Sequence, residues 1–236
     1  MATLRDIKGD LVEQRTANPD NPNIGDIWYR SDTGDMQLQV NLSAWATGGS
    51  TNQVRSQGAG TGASKDSALV TGGYTGTAAT AKNESYNGSS WTEVGDINSA
   101  RRYNQSCGIV TAALCTGGYT QGGSATTENE SWDGSSWTEV GDLSRPAQRY
   151  DSGQLGTQAA SLYFGGEPVG AVTELWNGSS WTEVNDLNTA RMAVTGFGTT
   201  SAGIAAGGRA PSVTAANESW DGTSWTEVGD LNTARG

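Results

Sequence analysis

The chain has no histidine among its 236 residues. That absence excludes a Ser-His-Asp or Cys-His arrangement, imidazole ligation of a metal and the commonest general base of enzymes. A glycosidase needs only two carboxylates, and two repeated sets of glutamates offer them. The sets are Glu84, Glu130, Glu174 and Glu218, and Glu93, Glu139, Glu183 and Glu227. Because the members of each set are equivalent by repeat, whereas a catalytic pair should break that symmetry, we expect no enzyme.

Basic residues are scarce as well. Fourteen lysines and arginines face 25 aspartates and glutamates, which gives a net charge of -11 and a pI near 4.3. A phosphate backbone would be repelled by such a chain. No apolar run approaches the roughly 20 residues of a spanning helix, and the start lacks the apolar core of a secretory signal. We therefore expect no nucleic-acid partner, no membrane insertion and no export by the general pathway.

Only two cysteines are present, Cys107 and Cys115. At the position of Cys115 the sister repeats carry Val70, Tyr163 and Ala205. This favours free thiols in a buried apolar position. The alternative is a disulfide across a tight hairpin, which depends on the separation of the two Cα atoms. No Asp-x-Asp-x-Asp-Gly loop for calcium occurs, so we expect neither a metal nor a cofactor.

Repetition is what the sequence has in abundance. The stretch from Asn83 to Arg101 recurs three more times with little change, and its tryptophans recur as Trp91, Trp137, Trp181 and Trp225. A period of about 45 residues is the size of one supersecondary unit in a repeat fold. With 34 glycines and nine tryptophans, the composition favours short strands, tight turns and large buried aromatic side chains.

Each repeat offers four strand candidates, A to D. In the first full repeat they are A near Ser56–Thr61, B at Ala68–Tyr74, C at Asn83–Tyr86 and D at Ser90–Val94. Later B strands are expected at 112–119, 161–166 and 203–208. Strands C and D are joined by Asn-Gly or Asp-Gly, residues that close hairpins readily. Four antiparallel strands per period are typical of the blades of a β-propeller, so the predicted fold class is all-β.

The residues before the repeats read differently. Met1–Asn23 is polar and aperiodic, which indicates an extended arm. Ile24–Ala46 alternates around Thr33-Gly34 and predicts a β-hairpin. Trp45 lies one period before Trp91, so the hairpin is interpreted as part of a degenerate first blade. The expected organisation is an anchoring arm at 1–23, a hairpin with a partial first blade at 24–53, and the repeat region at 54–236.

The repeats resemble those of kelch proteins. The resemblance rests on Gly72-Gly73, Glu84, Tyr86-Asn87, Trp91 and Arg101, which follow one another in that order. It implies a propeller of about four full blades plus the partial one. The repeat that contains Trp137, the third when the partial first unit is counted, departs from this pattern. It has Ala147 where the arginine is expected, with Arg145 and Arg149 on either side. The positions expected to be structural are Trp45, Trp91, Trp137, Trp181, Trp225, Glu84, Glu130, Glu174, Glu218, Arg55, Arg101, Arg191 and Arg235.

A functional alternative exists for these positions, since an exposed ladder of aromatic rings could stack on sugars. The interpretation we favour places the tryptophans between blades and pairs the glutamates with blade arginines or turn donors.

A second resemblance lies in the arm together with Ile24-Gly25-Asp26-Ile27-Trp28-Tyr29, followed by Gly-Ser-Ser-Trp-Thr repeats. This combination looks like kelch-type proteins of marine phages. The resemblance implies a virion component, of the tail or a fibre, that is anchored to other virion proteins through residues 1–53. The repeats would then face outward and attach to a glycan or protein of the host surface.

Recognition is expected where the repeats differ, because variable loops on a rigid scaffold commonly carry binding. The connections from B to C vary most, and they begin at Tyr74, Tyr119, Glu167 and Arg209. Loop drift without function would explain the same variation.

Four full repeats are few for a kelch-like ring, so closure is open to three explanations. The chain could belong to a longer one, the first unit could close with the last, or a neighbouring chain could close the ring. We favour the longer chain. An open propeller leaves a strand edge unpaired, and a homo-oligomer is expected. The alternatives to an attachment protein are a cellular kelch-type adaptor that binds proteins and a capsid decoration protein without receptor binding.

Overall fold

The computed structural model describes residues 13–17, 27–38, 48–144, 152–166 and 169–236. The chain divides into two compact units, Met1–Thr47 and Gly48–Gly236. Every regular element in the described ranges is a β-strand, and none of these residues is helical. The predicted all-β fold class is confirmed.

The first unit contains a three-stranded sheet of β1 (Glu13–Arg15), β2 (Ile27–Arg30) and β3 (Asp35–Leu38). Strands β2 and β3 form an antiparallel hairpin, and β1 pairs in parallel with β2. The hairpin turns through Gly34, which has a φ of +79° that glycine adopts without strain. Trp45, one of the positions expected to be structural, lies outside the described residues.

The second unit is a β-propeller of four blades, each an antiparallel sheet whose strands follow chain order from the inside outward. Blade I has β4 (Ala59–Ser64), β5 (Ser67–Thr71), β6 (Asn83–Tyr86) and β7 (Trp91–Val94). Blade II has β9 (Gln105–Ile109), β10 (Ala112–Thr116), β12 (Asn129–Trp132) and β13 (Trp137–Val140). Blade III has β14 (Gly153–Gly156), β15 (Ser161–Phe164), β16 (Thr173–Trp176) and β17 (Trp181–Val184). Blade IV has β18 (Thr195–Thr199), β19 (Ala202–Ala206), β20 (Asn217–Trp220) and β21 (Trp225–Val228). A short ribbon of β8 (Arg101–Arg102) and β11 (Tyr119–Thr120) accompanies blade II.

In the first full repeat, the predicted bounds of strand C are those observed for β6. The predicted B strands extend beyond the observed strands at their C-terminal ends. Strand β5 ends at Thr71 because Gly72 and Gly73 both adopt positive φ, +59° and +116°. A Cβ on Gly72 would lie 2.6 Å from the carbonyl oxygen of Arg101. The Gly-Gly pair therefore ends the strand and lets the backbone of the next joint approach closely.

Glycine also shapes the inner strands, which lie side by side from β4 to β9, β14 and β18. A Cβ on Gly196 would lie 2.6 Å from the ring of Phe164, so bulk is excluded where two blades meet at the axis. Strands β4 and β18, from the first and last blades, do not make the side-by-side contact that joins the other neighbouring inner strands.

The hydrophobic core lies between blades and not within them. The described residues form three clusters, one at each of the junctions I/II, II/III and III/IV. Each contains two neighbouring tryptophans of the later blade, with ring centroids 5.3 to 5.4 Å apart. These pairs are Trp132 with Trp137, Trp176 with Trp181, and Trp220 with Trp225. Because no blade buries these rings alone, the blades stabilise one another as in other repeat folds.

Candidate functional site

The repeated arginines and glutamates form buried ion pairs at the blade junctions. Arg55 pairs with Glu84, Arg101 with Glu130 at 2.6 Å, and Arg191 with Glu218 at 3.0 Å. Each arginine comes from the joint before a blade and each glutamate from the third strand of that blade. The second terminal nitrogen of each arginine donates to a backbone carbonyl just ahead of that strand. We call the segments that deliver the arginines latches: Gly49–Arg55, Gly95–Arg101, Asn185–Arg191 and Gly229–Arg235.

In each of these pairs, both carboxylate oxygens of the glutamate accept hydrogen bonds from the latch. The backbone N–H of Asn52, Asn98 and Asn188 donates to the second carboxylate oxygen, at 2.6 to 2.7 Å. Burial alone would raise the pKa of Glu84, but donors from the latch, including the Arg55 guanidinium, outweigh it and the net pKa is lowered. A charged carboxylate held this way is a structural group, because no oxygen remains for a substrate or a cation.

The outer-strand tryptophans also belong to the junctions. The indole N–H of Trp91 donates to the Gly49 carbonyl, and that of Trp137 to the Gly95 carbonyl, both at 3.0 Å. Trp137, Trp181 and Trp225 are at most 7% exposed. Such rings cannot form an exposed ladder for sugars.

Two junction groups depart from this pattern. In blade III, Glu174 accepts the N–H of Ser144, but its other oxygen has no hydrogen-bond partner among the described residues. Ala147, which replaces the expected arginine there, lies outside those residues. After blade IV, Arg235 ends the same Asp-Leu-Asn-Thr-Ala-Arg sequence as Arg191, yet its side chain is exposed and meets no carboxylate of the described residues.

Both cysteines are buried and free, so the alternative that pairs them is wrong. In the register of β9 and β10, Cys107 faces Leu114 and Cys115 faces Ser106. Neighbouring residues of a strand point to opposite faces, so the two thiols lie on opposite sides of the sheet. Burial raises the pKa of Cys107 to about 12, which removes it as a nucleophile at neutral pH.

A cavity of about 610 Å³ opens among the inner strands of the four blades. Its polar lining comes from Thr61, Ser64, Ser106 and Gln154, with Phe197 and many glycines. None of the described residues that line it carries a carboxylate or an amine. The described residues also contain no group of three carboxylate or thiol side chains arranged to hold a metal.

The variable B-to-C connections lie at the end of the propeller where the latches enter. Tyr74 forms two backbone hydrogen bonds with Ser56, at 2.7 and 2.9 Å, and Arg209 forms two with Met192. Tyr119 pairs with Arg102 in the β8–β11 ribbon. We call this end the loop face, and the opposite end, with the A–B and C–D turns, the turn face. Glu167, the fourth predicted loop residue, lies outside the described residues.

Blades I and II together form an aromatic and cationic cluster on the loop face. The guanidinium carbon of Arg102 lies 4.6 Å from the ring centroid of Tyr74 and 5.8 Å from that of Tyr103. Both distances are within the range of cation–π attraction. All three side chains and Tyr119 are half-buried. The structure therefore places Tyr74 against Arg102, makes Tyr119 the strand partner of Arg102, and leaves Arg209 in the fourth blade, exposed.

Sequence reasoning missed Arg102 and Tyr103, although a signal for them exists. The residue after each repeated arginine differs between repeats, as Ser56, Arg102 and Met192, and the next one adopts a left-handed φ of 52° to 58° as Gln57, Tyr103 and Ala193. At these two positions the backbone conformation recurs while the side chains differ, as expected of a surface that contacts a partner.

No protein-family model matches the chain, and no curated protein matches it. Within the part of the chain that the structure describes, no helix is long and apolar enough to cross a membrane.

Proposed function

We propose that this chain is a kelch-type, non-enzymatic component of a phage particle, of the tail or a fibre, whose loop face attaches to a host surface. The observation that carries the proposal is the cluster of Tyr74, Arg102, Tyr103 and Tyr119 on one end of a repetitive scaffold. The kelch-type assignment is supported by the order of Gly-Gly, glutamate, aromatic residue, tryptophan and arginine in the repeats. The assignment to a phage particle is supported by the sequence of residues 24–29, which precedes those repeats and resembles segments of phage kelch-type proteins.

The cluster suits a glycan of the host surface. Aromatic rings pack on the apolar faces of sugars, and tyrosine hydroxyls add hydrogen bonds at low cost in side-chain entropy. The Arg102 guanidinium beside these rings adds a cation that pairs with the carboxylate of an acidic sugar. Catalysis is disfavoured by the burial of Glu84, Glu130 and Glu218 in ion pairs with the latches, and by the uncharged described lining of the central cavity.

Binding to the host surface is tested with purified chain on a microarray of bacterial surface glycans and on whole cells. Arg102→Ala and Tyr74→Ala are each expected to weaken binding by about tenfold or more, the effect of losing a central contact. The matched control is Lys65→Ala, which removes an exposed cation on the turn face. Binding that depends on Lys65 and not on the cluster would contradict the site.

The place of the protein is tested separately. Antibodies to the loop face are expected to label intact particles, and the chain should appear among the proteins of purified particles. A chain found only in the soluble fraction of cells, bound to another protein, would favour the cellular adaptor. Labelled particles without any surface binding would favour the decoration protein.

A further inference from the structure

Arg102 is a cation without an acidic partner. Among the described residues its side chain contacts two aromatic rings and no carboxylate. The other described cations of blades I and II all have acidic partners: Arg55 pairs with Glu84, Lys65 with Asp66, Lys82 with Glu93, and Arg101 with Glu130. Fourteen cations share 25 carboxylate side chains in this chain, so an unpaired arginine is unexpected. The half-buried Arg102 therefore offers its five N–H donors to a ligand.

The backbone of Tyr103 brings the second ring to this cation. Arg102 belongs to strand β8, and neighbouring side chains of a strand point to opposite faces. Tyr103 has a φ of +56°, in the left-handed region that side-chain-bearing residues rarely adopt. This φ breaks the alternation, and the Tyr103 ring centroid lies 5.8 Å from the Arg102 guanidinium carbon. A strained backbone thus places two consecutive side chains in contact.

The fold holds this left-handed backbone whatever the side chain is. The carbonyl of Arg101 accepts the Gly73 N–H at 2.8 Å, and the Tyr103 N–H donates to the Gln57 carbonyl at 2.6 Å. The equivalent residues Gln57 and Ala193 have φ values of +58° and +52°. Glycine would fit all three positions without strain. Only Tyr103 among these three follows a cation, since Ser56 and Met192 precede the other two.

The two rings restrict what the guanidinium can bind. Tyr74 lies 4.6 Å from it and Tyr103 lies on its other contact, so the rings limit its rotation and its access to water. The planar fork of arginine matches a carboxylate through two parallel hydrogen bonds. A ligand that displaces water without supplying an acceptor leaves these donors unsatisfied, which costs binding free energy. The cluster therefore favours an anionic group and rejects its neutral analogue.

The charge of the whole chain limits how many anionic groups the ligand carries. The net charge is -11, so a polyanion is repelled before it reaches the loop face. Only contact with Arg102 compensates that repulsion, and one guanidinium compensates one carboxylate. The ligand that fits is a glycan in which a single acidic sugar is flanked by neutral ones, whose apolar faces pack on the tyrosine rings.

Building on the proposed attachment of the loop face to a glycan, we propose that the ligand carries an isolated hexuronic acid and that Tyr103 determines this selectivity. Tyr103 is a positioning residue: its ring fixes Arg102, and Arg102 binds the sugar carboxylate. Loss of the ring leaves the cation in place but hydrated and free to rotate. Selectivity for the acidic sugar should then fall more than the binding of the neutral sugar does.

The test compares two immobilised glycans that differ only in one hexuronic acid, replaced in the second by the neutral hexose. Wild-type chain is expected to prefer the acidic glycan at least about tenfold, the effect of one charge-assisted contact. Tyr103→Gly keeps the left-handed backbone and should lower that preference to about threefold or less. Tyr103→Phe keeps the ring and should retain the preference. The matched control is Ala193→Gly, at the equivalent position of blade IV.

The ratio of the two affinities separates positioning from a structural role, because a general loss of folding weakens both glycans alike. Circular dichroism establishes that each variant is folded. A folded Tyr103→Gly variant with the wild-type ratio would overturn the role of Tyr103 and leave the proposed function standing. Wild-type binding of both glycans with equal affinity would overturn the acidic ligand. Binding of neither glycan would overturn this inference together with the proposed attachment, and preference for an aspartate-rich peptide over the acidic glycan would overturn the glycan as ligand.

Discussion

Replacement of Arg101 by alanine is the sharpest test of the latch. The Arg101 side chain is 0% exposed, and its terminal nitrogens donate to Glu130 at 2.6 Å and to the Glu128 carbonyl at 3.1 Å. Without it, Glu130 stays buried with only the donors of Asn98. Removing one partner of a buried ion pair costs about 3–5 kcal/mol, because the other charge is left uncompensated. We expect Arg101→Ala to lower the free energy of unfolding by that amount.

The assay is urea unfolding followed by tryptophan fluorescence, which the junction tryptophans make sensitive to blade separation. With a slope of about 2 kcal/mol per molar urea, the expected loss shifts the midpoint by roughly 2 M. The double variant Arg101→Ala with Glu130→Gln should recover part of the loss, because a neutral amide oxygen still accepts the Asn98 N–H.

The matched control is Arg235→Ala, which removes an arginine from the equivalent repeat position, where no described carboxylate meets it. It should change stability by no more than about 0.5 kcal/mol. The reasoning is refuted if Arg101→Ala unfolds like the wild type, or if Arg235→Ala costs as much as Arg101→Ala.

Three further predictions concern the turns and thiols. Gly72→Ala should lower the melting temperature far more than Gly76→Ala, because both glycines have positive φ but only the Cβ at 72 meets backbone, at 2.6 Å. Differential scanning fluorimetry checks it, and equal shifts would contradict it. Donors of Ser136 and Ser135 lower the pKa of Asp133 from 3.8 to about 2, so its contribution to stability is present above pH 3.8 and is lost as the pH falls through 2. Asp133→Asn, which matches Asn87 and Asn177 of other blades, should remove that part of the acid dependence in pH-resolved unfolding; an unchanged acid profile would count against the assignment. Because burial raises the pKa of Cys107 to about 12, alkylation at pH 8 should be negligible until urea unfolds the chain, and rapid labelling of the native chain would contradict burial.

Much of the propeller could be predicted because the same pattern of strand and turn residues recurs in each repeat. Asn-Gly and Asp-Gly at equal spacing fix the outer hairpin, and strand β6 has its predicted bounds. The inner strands were less well predicted. Strand A was expected near Ser56–Thr61, but β4 begins at Ala59, because Ser56 pairs with Tyr74 and Gln57 adopts a positive φ. The pairing of Ser56 with Tyr74 joins residues about 18 positions apart, and no short-range sequence pattern indicates it.

The candidate site was predicted only in outline. Variation between repeats indicates the B-to-C connections, and these lie together on the loop face. It does not reveal that Arg102 lies over Tyr74, since the two residues belong to different repeats and are brought together by pairing of the Gly73 N–H with the Arg101 carbonyl.

Hydrogen–deuterium exchange of the chain with and without a bound surface glycan tests the central claim, that the scaffold is constant and the loop face binds. We predict slower exchange at residues 74–80, 101–104 and 119–121, and unchanged exchange at the C–D turns near 87–90 and 133–136. Protection at those turns, with the loop face unchanged, would contradict the account.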